Sequence, residues 1–323
     1  GAQANDLGLR LSSSSGGVFS LLAEEVLNRG GVVFGAAMSA DCKSVHHVMA
    51  EDRNELALLR GSKYVLSDLE DTFRRVKEEL KRRSVLFTGT PCQVDGLTSY
   101  LGGEEENLLC AEVICHGVPA PELWRMYIEN LNAQSGSEAT KVEFRNKDSG
   151  WKHYTLKVKR SDSVTMKAPT TGRQFMKLFL RDLCLRPSCY QCPSKGLNRT
   201  ADLTIGDFWG VESVAPELDD DRGTSLVLVH TRKGQAALEQ VLPETTWKEV
   251  DCMAALCGNP AMMRSAKCPG NREAFVADME RLPFLALAEK YVPRSQRDKL
   301  IDLVENLGLM PWVVHLNRAL RKK

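Results

Sequence analysis

The stretch SDLEDTFRRVKEELKRRSVLFTGTPCQVDGLTSYL, residues 67–101, decides the fold. Its first half is an amphipathic helical pattern for which Ser67 or Asp68 is the expected N-cap. SVLFTG, residues 84–89, is a short apolar run closed by turn residues and reads as a buried strand. QVDGLTSYL returns to helical spacing. Downstream the pattern repeats with the strand LLCAEVIC (108–115) and the helix APELWRMYIENLNA (120–133). Upstream, GGVFSLLAEEVLNRGG (16–31) is a helix entered from a serine-rich cap, and the strand VVFGAAMS (32–39) follows it. Strands alternating with helices imply an α/β fold with a mostly parallel sheet and flanking helices.

That alternation gives two cysteines a shared address. Cys92 falls just past SVLFTG and Cys115 closes LLCAEVIC, so both lie at the carboxyl ends of adjacent strands. In an open α/β sheet that edge is where ligands bind. Each thiol is followed by loop or helix-start signals whose backbone N–H groups favour an anion or a thiolate.

Past residue 139 the character changes. TKVEFRNKDSGWKHYTLKVKRSDSVTMKAP (140–169) alternates around an Asp-Ser-Gly turn and reads as an inserted antiparallel β segment. The helix GRQFMKLFLRDL (172–183) then delivers the chain to RPSCYQCPSKG (186–196), a basic loop holding the pair Cys189 and Cys192. ADLTIGDFWG (201–210) and SLVLVHT (225–231) are further strands, and KGQAALEQVL (233–242) is a helix. From about Cys252 the chain reads as helical, ending in the basic HLNRALRKK.

Bulk composition narrows the function classes. The 323 residues, 43% of them hydrophobic, suffice for a real core. With 43 Lys and Arg against 42 Asp and Glu, the balance suggests neither a nucleic-acid nor a membrane-surface partner. No apolar run reaches the roughly 18 residues of a membrane helix, and the expected location is cytoplasmic. The chain opens on Gly1 rather than Met, so the expectation is either an added terminal residue or a piece of something longer that would carry an upstream domain. Ten cysteines spread along such a chain are a poor match to structural disulfides. Cys42, Cys110 and Cys252 read as buried free thiols.

Three chemistries could use the C-x2-C pair. Zinc usually takes two such pairs, and this chain has one. A thioredoxin-like motif belongs at a helix N-terminus, whereas this pair sits in a loop between Pro187 and Pro193. An iron-sulfur cluster needs four thiolates, which one C-x2-C plus two cysteines from other loops would supply. The local C-x4-C-x2-C spacing makes Cys184 a rival to Cys115 as the fourth ligand. Hydroxyl- and glycine-rich turns at SSSSGG (12–17), GSKY (61–64) and FTGTPCQ (87–93) are sized for phosphate, but serve equally as capped turns. Neither a dinucleotide fingerprint nor a P-loop is present.

Taken in order, SSSSGGVFSLLAEEVL, GSKYVLSDL, VLFTGTPCQVDGL, ICHGVPAPELW, FRNKDSGW, LRPSCYQC and ADLTIGDFWG resemble the coenzyme F-420 (deazaflavin) hydrogenase/dehydrogenase beta-subunit family, in its bacterial form without the N-terminal ferredoxin domain. The resemblance implies a flavoprotein with one 4Fe-4S cluster, held by Cys92, Cys115, Cys189 and Cys192. It implies a flavin, FAD with FMN as the alternative, lined by Ser14, Ser15, Gly16, Gly17, Lys63, Tyr64, Thr88, Gly89 and Thr90. Lys63 and Tyr64 read equally as a surface helix end, and Asp207 as a turn residue. His116, beside a ligand, could donate a proton near the flavin, although a His packed on backbone is commoner.

The expected organisation is then a flavin and iron-sulfur core over 1–250, with the β insertion at about 139–170 and a helical region over 251–323. The expected activity is an oxidoreductase passing electrons between a ferredoxin-type donor, or the missing ferredoxin-like domain, and a small organic acceptor of deazaflavin type. The alternative is a non-catalytic electron-relay or scaffold subunit, with a zinc-stabilised module third. A homo-oligomer is compatible with the sequence.

Overall fold

The structure is a computed structural model that describes residues 1–162, 165–167 and 170–296. The basic end HLNRALRKK, and the expected helical region beyond residue 296, lie outside the described residues. In chain order the chain begins with β1 (Ala2–Ala4), α1 (Leu7–Ser12), α2 (Val18–Asn28), β2 (Val32–Met38), β3 (Val45–Ala50) and α3 (Arg53–Leu59). There follow β4 (Ser67–Asp68), α4 (Thr72–Glu79), β5 (Val85–Gly89), α5 (Pro91–Leu101), β6 (Leu108–Val113) and α6 (Pro121–Ser135). Next come β7 (Ala139–Asn146), β8 (Thr155–Arg160), β9 (Thr165–Lys167), α7 (Thr170–Leu180) and β10 (Leu203–Asp207). The described chain closes with α8 (Val211–Val214), β11 (Ser225–Val229), α9 (Arg232–Val241), β12 (Thr245–Trp247), α10 (Cys252–Leu256), α11 (Arg272–Met279) and α12 (Phe284–Tyr291).

These elements form two compact units. The first comprises 1–39, 44–118 and 186–266 and is built on a nine-stranded sheet of order β12-β1-β11-β10-β6-β5-β2-β3-β4. Its centre, β10-β6-β5-β2, is parallel throughout, as the helix–strand alternation requires. The period-2 geometry of the strands sorts the core into two layers. Val33, Leu86 and Leu109 face α2, α3 and α9, while Val32, Phe34, Val85, Phe87 and Cys110 face α4 and α5.

Antiparallel strands flank this centre, with β3 beside β2 and β11, β1 and β12 beyond β10. The expected helix from Ser67 starts later. Ser67 and Asp68 pair with Val45 and His46 as β4, and α4 begins at Thr72 behind Asp71. Residues that cap helices also tolerate a short sheet edge, and here pairing to β3 takes them.

The second unit comprises 40–43, 119–185 and the residues from Lys267 onward. It holds the expected antiparallel segment as a three-stranded sheet, β7-β8-β9. α6 supplies its core: Trp124 and Tyr127 are fully buried and pack rings with Phe144 and Phe175 at 4.7–5.7 Å. The indole N–H of Trp124 donates to the carbonyl of Cys42 at 2.8 Å.

Candidate functional site

Sheet register aligns the first two cysteines. Gly89 at the end of β5 pairs with Glu112 near the end of β6. Counting three residues on from each reaches Cys92 and Cys115. Cys92 lies in the first turn of α5, where Pro91 fixes the helical start and the side chain of Gln93 accepts the Thr90 N–H at 2.9 Å. The Thr90 hydroxyl is 3.2 Å from the Cys92 sulfur.

The C-x2-C pair is brought to the same edge by a 3-10 turn over Pro187–Gln191. The Arg186 N–H donates to the Val118 carbonyl at 2.9 Å, and the Cys192 N–H donates to the Ser265 hydroxyl at 3.0 Å. The thiols are near enough to act on one another electrostatically. Burial pushes the Cys115 thiol up to about 12, and Cys92 and Cys189 add to that shift while Lys195 opposes it. The Cys189 thiol is likewise raised by burial, with Cys92 and Cys192 contributing. Cys115, Cys92, Cys189 and Cys192 thus form one connected group within the first unit.

Their spacing is wider than a single zinc ion requires. Sulfurs at about 2.3 Å from a tetrahedral zinc stand about 3.8 Å apart. Among the described residues the group of ligating atoms lying within 4.8 Å of one another is His46, Asp68 and Glu70. No three of the cysteine sulfurs meet that limit.

A polar latch fixes the cysteine loop before any metal is considered. Ser194 and Thr200 both donate to the carboxylate of Asp95 on α5, the latter at 2.5 Å. Lys195 Nζ donates to the carbonyls of Cys115 (2.5 Å) and Ala261 (2.6 Å). Arg199 lies 3.3 Å from Glu112 on β6 and donates to the carbonyls of Ser194 and Met262. Glu112 also accepts from the Thr204 hydroxyl at 2.7 Å, which in turn meets His230 Nε2 at 2.7 Å. Burial raises the Glu112 carboxyl above its usual range, with Thr204 and Arg199 pulling the other way. The sequence marks this loop as basic and gives no sign that Asp95, Glu112, Ser194, Lys195, Arg199, Thr200 and Thr204 meet here.

Cys184 belongs to the second unit, where its N–H···O-bonded carbonyl holds Ala120 at 2.8 Å and burial pushes its thiol up to about 12. Cys42 and Cys110 are buried as expected, but Cys252 is exposed at the start of α10, where Asp251 caps the helix and leaves its neighbour facing solvent.

The expected flavin contacts are distributed as follows. α2 precedes β2 and so begins at the carboxyl edge of the parallel strands, with Gly17 as its N-cap at φ +94°. The serines ahead of it do not cap α2. Ser14 Oγ accepts from the Ser62 N–H and hydroxyl, and Ser15 Oγ donates to the Thr224 carbonyl. Gly16 is wedged between β1 and β11: a Cβ there would stand 2.2 Å from the Ala2 oxygen and 2.6 Å from the Ser225 nitrogen. Its need for glycine is therefore met by packing within the sheet.

Lys63 uses its ammonium on the carbonyls of Leu58, Leu59 and Arg60 at the end of α3, at 2.8–3.1 Å, and burial lowers it to about 7. Tyr64 is the next residue along and is half-buried. Thr88 donates its hydroxyl to the Phe34 carbonyl at 3.0 Å, and Gly89 packs against the Gln93 side chain. His116 is half-buried directly after Cys115.

His47, unpredicted, joins this edge. It stacks on Phe87, its Nε2 donates to the Thr88 carbonyl at 3.0 Å, and its Nδ1 is buried with no hydrogen-bond partner. Burial lowers it to about 4, so it is a neutral ring with a bare acceptor. His47 follows His46 in β3, and a polar pair inside a short strand carries no sequence signal of a buried acceptor.

A parallel α/β sheet with four thiols grouped along its carboxyl edge presents them where open α/β sheets bind their ligands. The chain belongs to the coenzyme F420 hydrogenase/dehydrogenase beta-subunit family: the model of the family's C terminus matches residues 82–252 and that of its N-terminal part matches residues 1–74. Oxidoreductase electron transfer is the class of activity this membership carries. Among solved structures, a chain of the F420-reducing [NiFe] hydrogenase complex from Methanosarcina barkeri shares the fold, with a TM-score of 0.54 and 15% identity. The similarity covers 86% of this chain and 90% of that one. No curated protein sequence matches significantly. Among the described residues no helix is long and apolar enough to cross a membrane.

Proposed function

We propose that this chain is an iron-sulfur flavoprotein subunit that passes electrons between a ferredoxin-type donor and an organic acceptor of deazaflavin type. The observation that carries the reading is the convergence of Cys92, Cys115, Cys189 and Cys192 from two strand ends and one loop, with spacing wider than zinc needs. Four thiols of this kind fit one 4Fe-4S cluster. The flavin, FAD ahead of FMN on the family resemblance, is assigned to the start of α2 and the Thr88–Thr90 turn. The bare Nδ1 of His47 supports that placement, since a buried acceptor without a partner calls for a donor from a ligand.

When bound, such a cluster supplies one-electron steps and a flavin links them to two-electron chemistry. The chain's own part is to position. Asp95, Lys195 and Arg199 hold the cysteine loop, and His47, kept neutral by burial, offers an acceptor at the Thr88 turn. The likeness to a chain of a hydrogenase complex supports partner subunits as well.

The relay or scaffold reading draws on two observations: the ammonium of Lys63 is already spent on α3, and the Gly16 N–H is already given to the Ser225 hydroxyl. Flavin uptake separates the two. Iron-loaded anaerobic protein should bind FAD or FMN with a dissociation constant of about 1 μM or below, about 8 kcal/mol of binding. Folded, iron-loaded protein that takes up neither leaves only the relay.

A further inference from the structure

The loop after the C-x2-C pair carries two inward cations with different fates. Arg199 has a carboxylate, Glu112, at 3.3 Å, and both side chains are sealed from solvent. Lys195 has none. Its ammonium is held by two carbonyl oxygens, those of Cys115 and Ala261, and it forms no ion pair among the described residues. A half-buried ammonium keeps its charge most cheaply beside an anion. The group it lies against is the cysteine group, since its ammonium is held on the carbonyl of Cys115 at 2.5 Å.

The geometry points to Lys195 as the counter-cation of the group formed by Cys92, Cys115, Cys189 and Cys192, and we propose that it sets the group's redox poise by favouring the more negative, reduced state. This inference rests on reading the four cysteines as cluster ligands. The step concerned is a one-electron transfer in which a ferredoxin-type donor is oxidised and the cluster gains one negative charge. No bond forms or breaks and no proton moves. A fixed positive charge in a poorly hydrated site lowers the free energy of the state with the extra electron, and net charge is a main determinant of such potentials. Lys195 is a positioning and charge-compensating residue, not a catalytic one.

The test is an anaerobic redox titration, followed by electron paramagnetic resonance, of iron-loaded wild type, Lys195→Gln and Lys195→Arg. At the wild-type midpoint, the ratio of reduced to oxidised cluster should fall about tenfold in Lys195→Gln, equivalent to about 59 mV for one electron, and Lys195→Arg should restore it. A Lys195→Gln variant with an intact spectrum and the wild-type midpoint overturns the proposal. Where Lys195→Gln takes up no cluster, Co2+ titration of the three apoproteins decides. The sulfur-to-cobalt absorption should require about tenfold more Co2+ in Lys195→Gln and return to the wild-type value in Lys195→Arg. Equal affinities in all three overturn it. Wild type that binds no iron at all fails the ligand reading itself, which is a different result.

Discussion

Arg199 and Glu112 form an ion pair 3.3 Å apart whose side chains are 3% and 0% exposed, and it joins the cysteine loop to β6, which ends at Val113 two residues before Cys115. Taking two charges out of water is costly, and removing one partner strands the other. Arg199→Met should lower unfolding free energy by about 3–5 kcal/mol, whereas adding Glu112→Gln should recover part of that loss. Urea unfolding of the two single variants and the double variant measures the coupling. Simple additivity would mean the pair does not hold the loop.

His47 gives the fold an acid-sensitive element. Its folded value of about 4 lies below the ordinary 6.5, so over that interval the unfolded chain binds the proton that the folded chain refuses. Stability is therefore full above pH 6.5 and is lost as pH falls toward 4, by up to about 3 kcal/mol. His47→Gln keeps a donor for the Thr88 carbonyl without the titration. Its stability should fall less steeply across that window when both proteins are unfolded in urea at each pH.

Gly16 reads in the sequence as a phosphate-cradle glycine, but its neighbours are the backbone of β1 and β11. Gly16→Ala should thus damage the sheet before it touches any ligand site, at a cost of about 1–3 kcal/mol or more. Thermal unfolding against flavin uptake checks this. Wild-type stability with selective flavin loss would restore the cradle reading.

The two cysteines at strand ends were legible because SVLFTG and LLCAEVIC are short apolar runs bounded by turn residues, and a parallel register places such ends side by side. The antiparallel β3 was not. VHHVMA mixes histidines into a strand set between β2 and β4, and with it His47 went unseen. Ser67 and Asp68 misled because capping residues look the same when they pair as β4. Lys195 and Arg199 escaped for a related reason: a basic loop gives no sign that one cation will find a carboxylate and the other the backbone carbonyl of Cys115.

The fourth thiol separates two spacings. Cys184 is a buried residue of the second unit, while Cys115 shares electrostatic contact with Cys92 and Cys189. Cys184→Ser should keep the full complement of iron, and Cys115→Ser should lose it, as iron and sulfide analysis of anaerobic protein would show. The reverse pattern would transfer the ligand role to Cys184.

The claim that four cysteines of the first unit hold a 4Fe-4S cluster is met most directly by metal and acid-labile sulfide analysis of the anaerobically purified chain. The account predicts brown protein with about four iron and about four sulfide per chain. Stoichiometric zinc with no sulfide would contradict it.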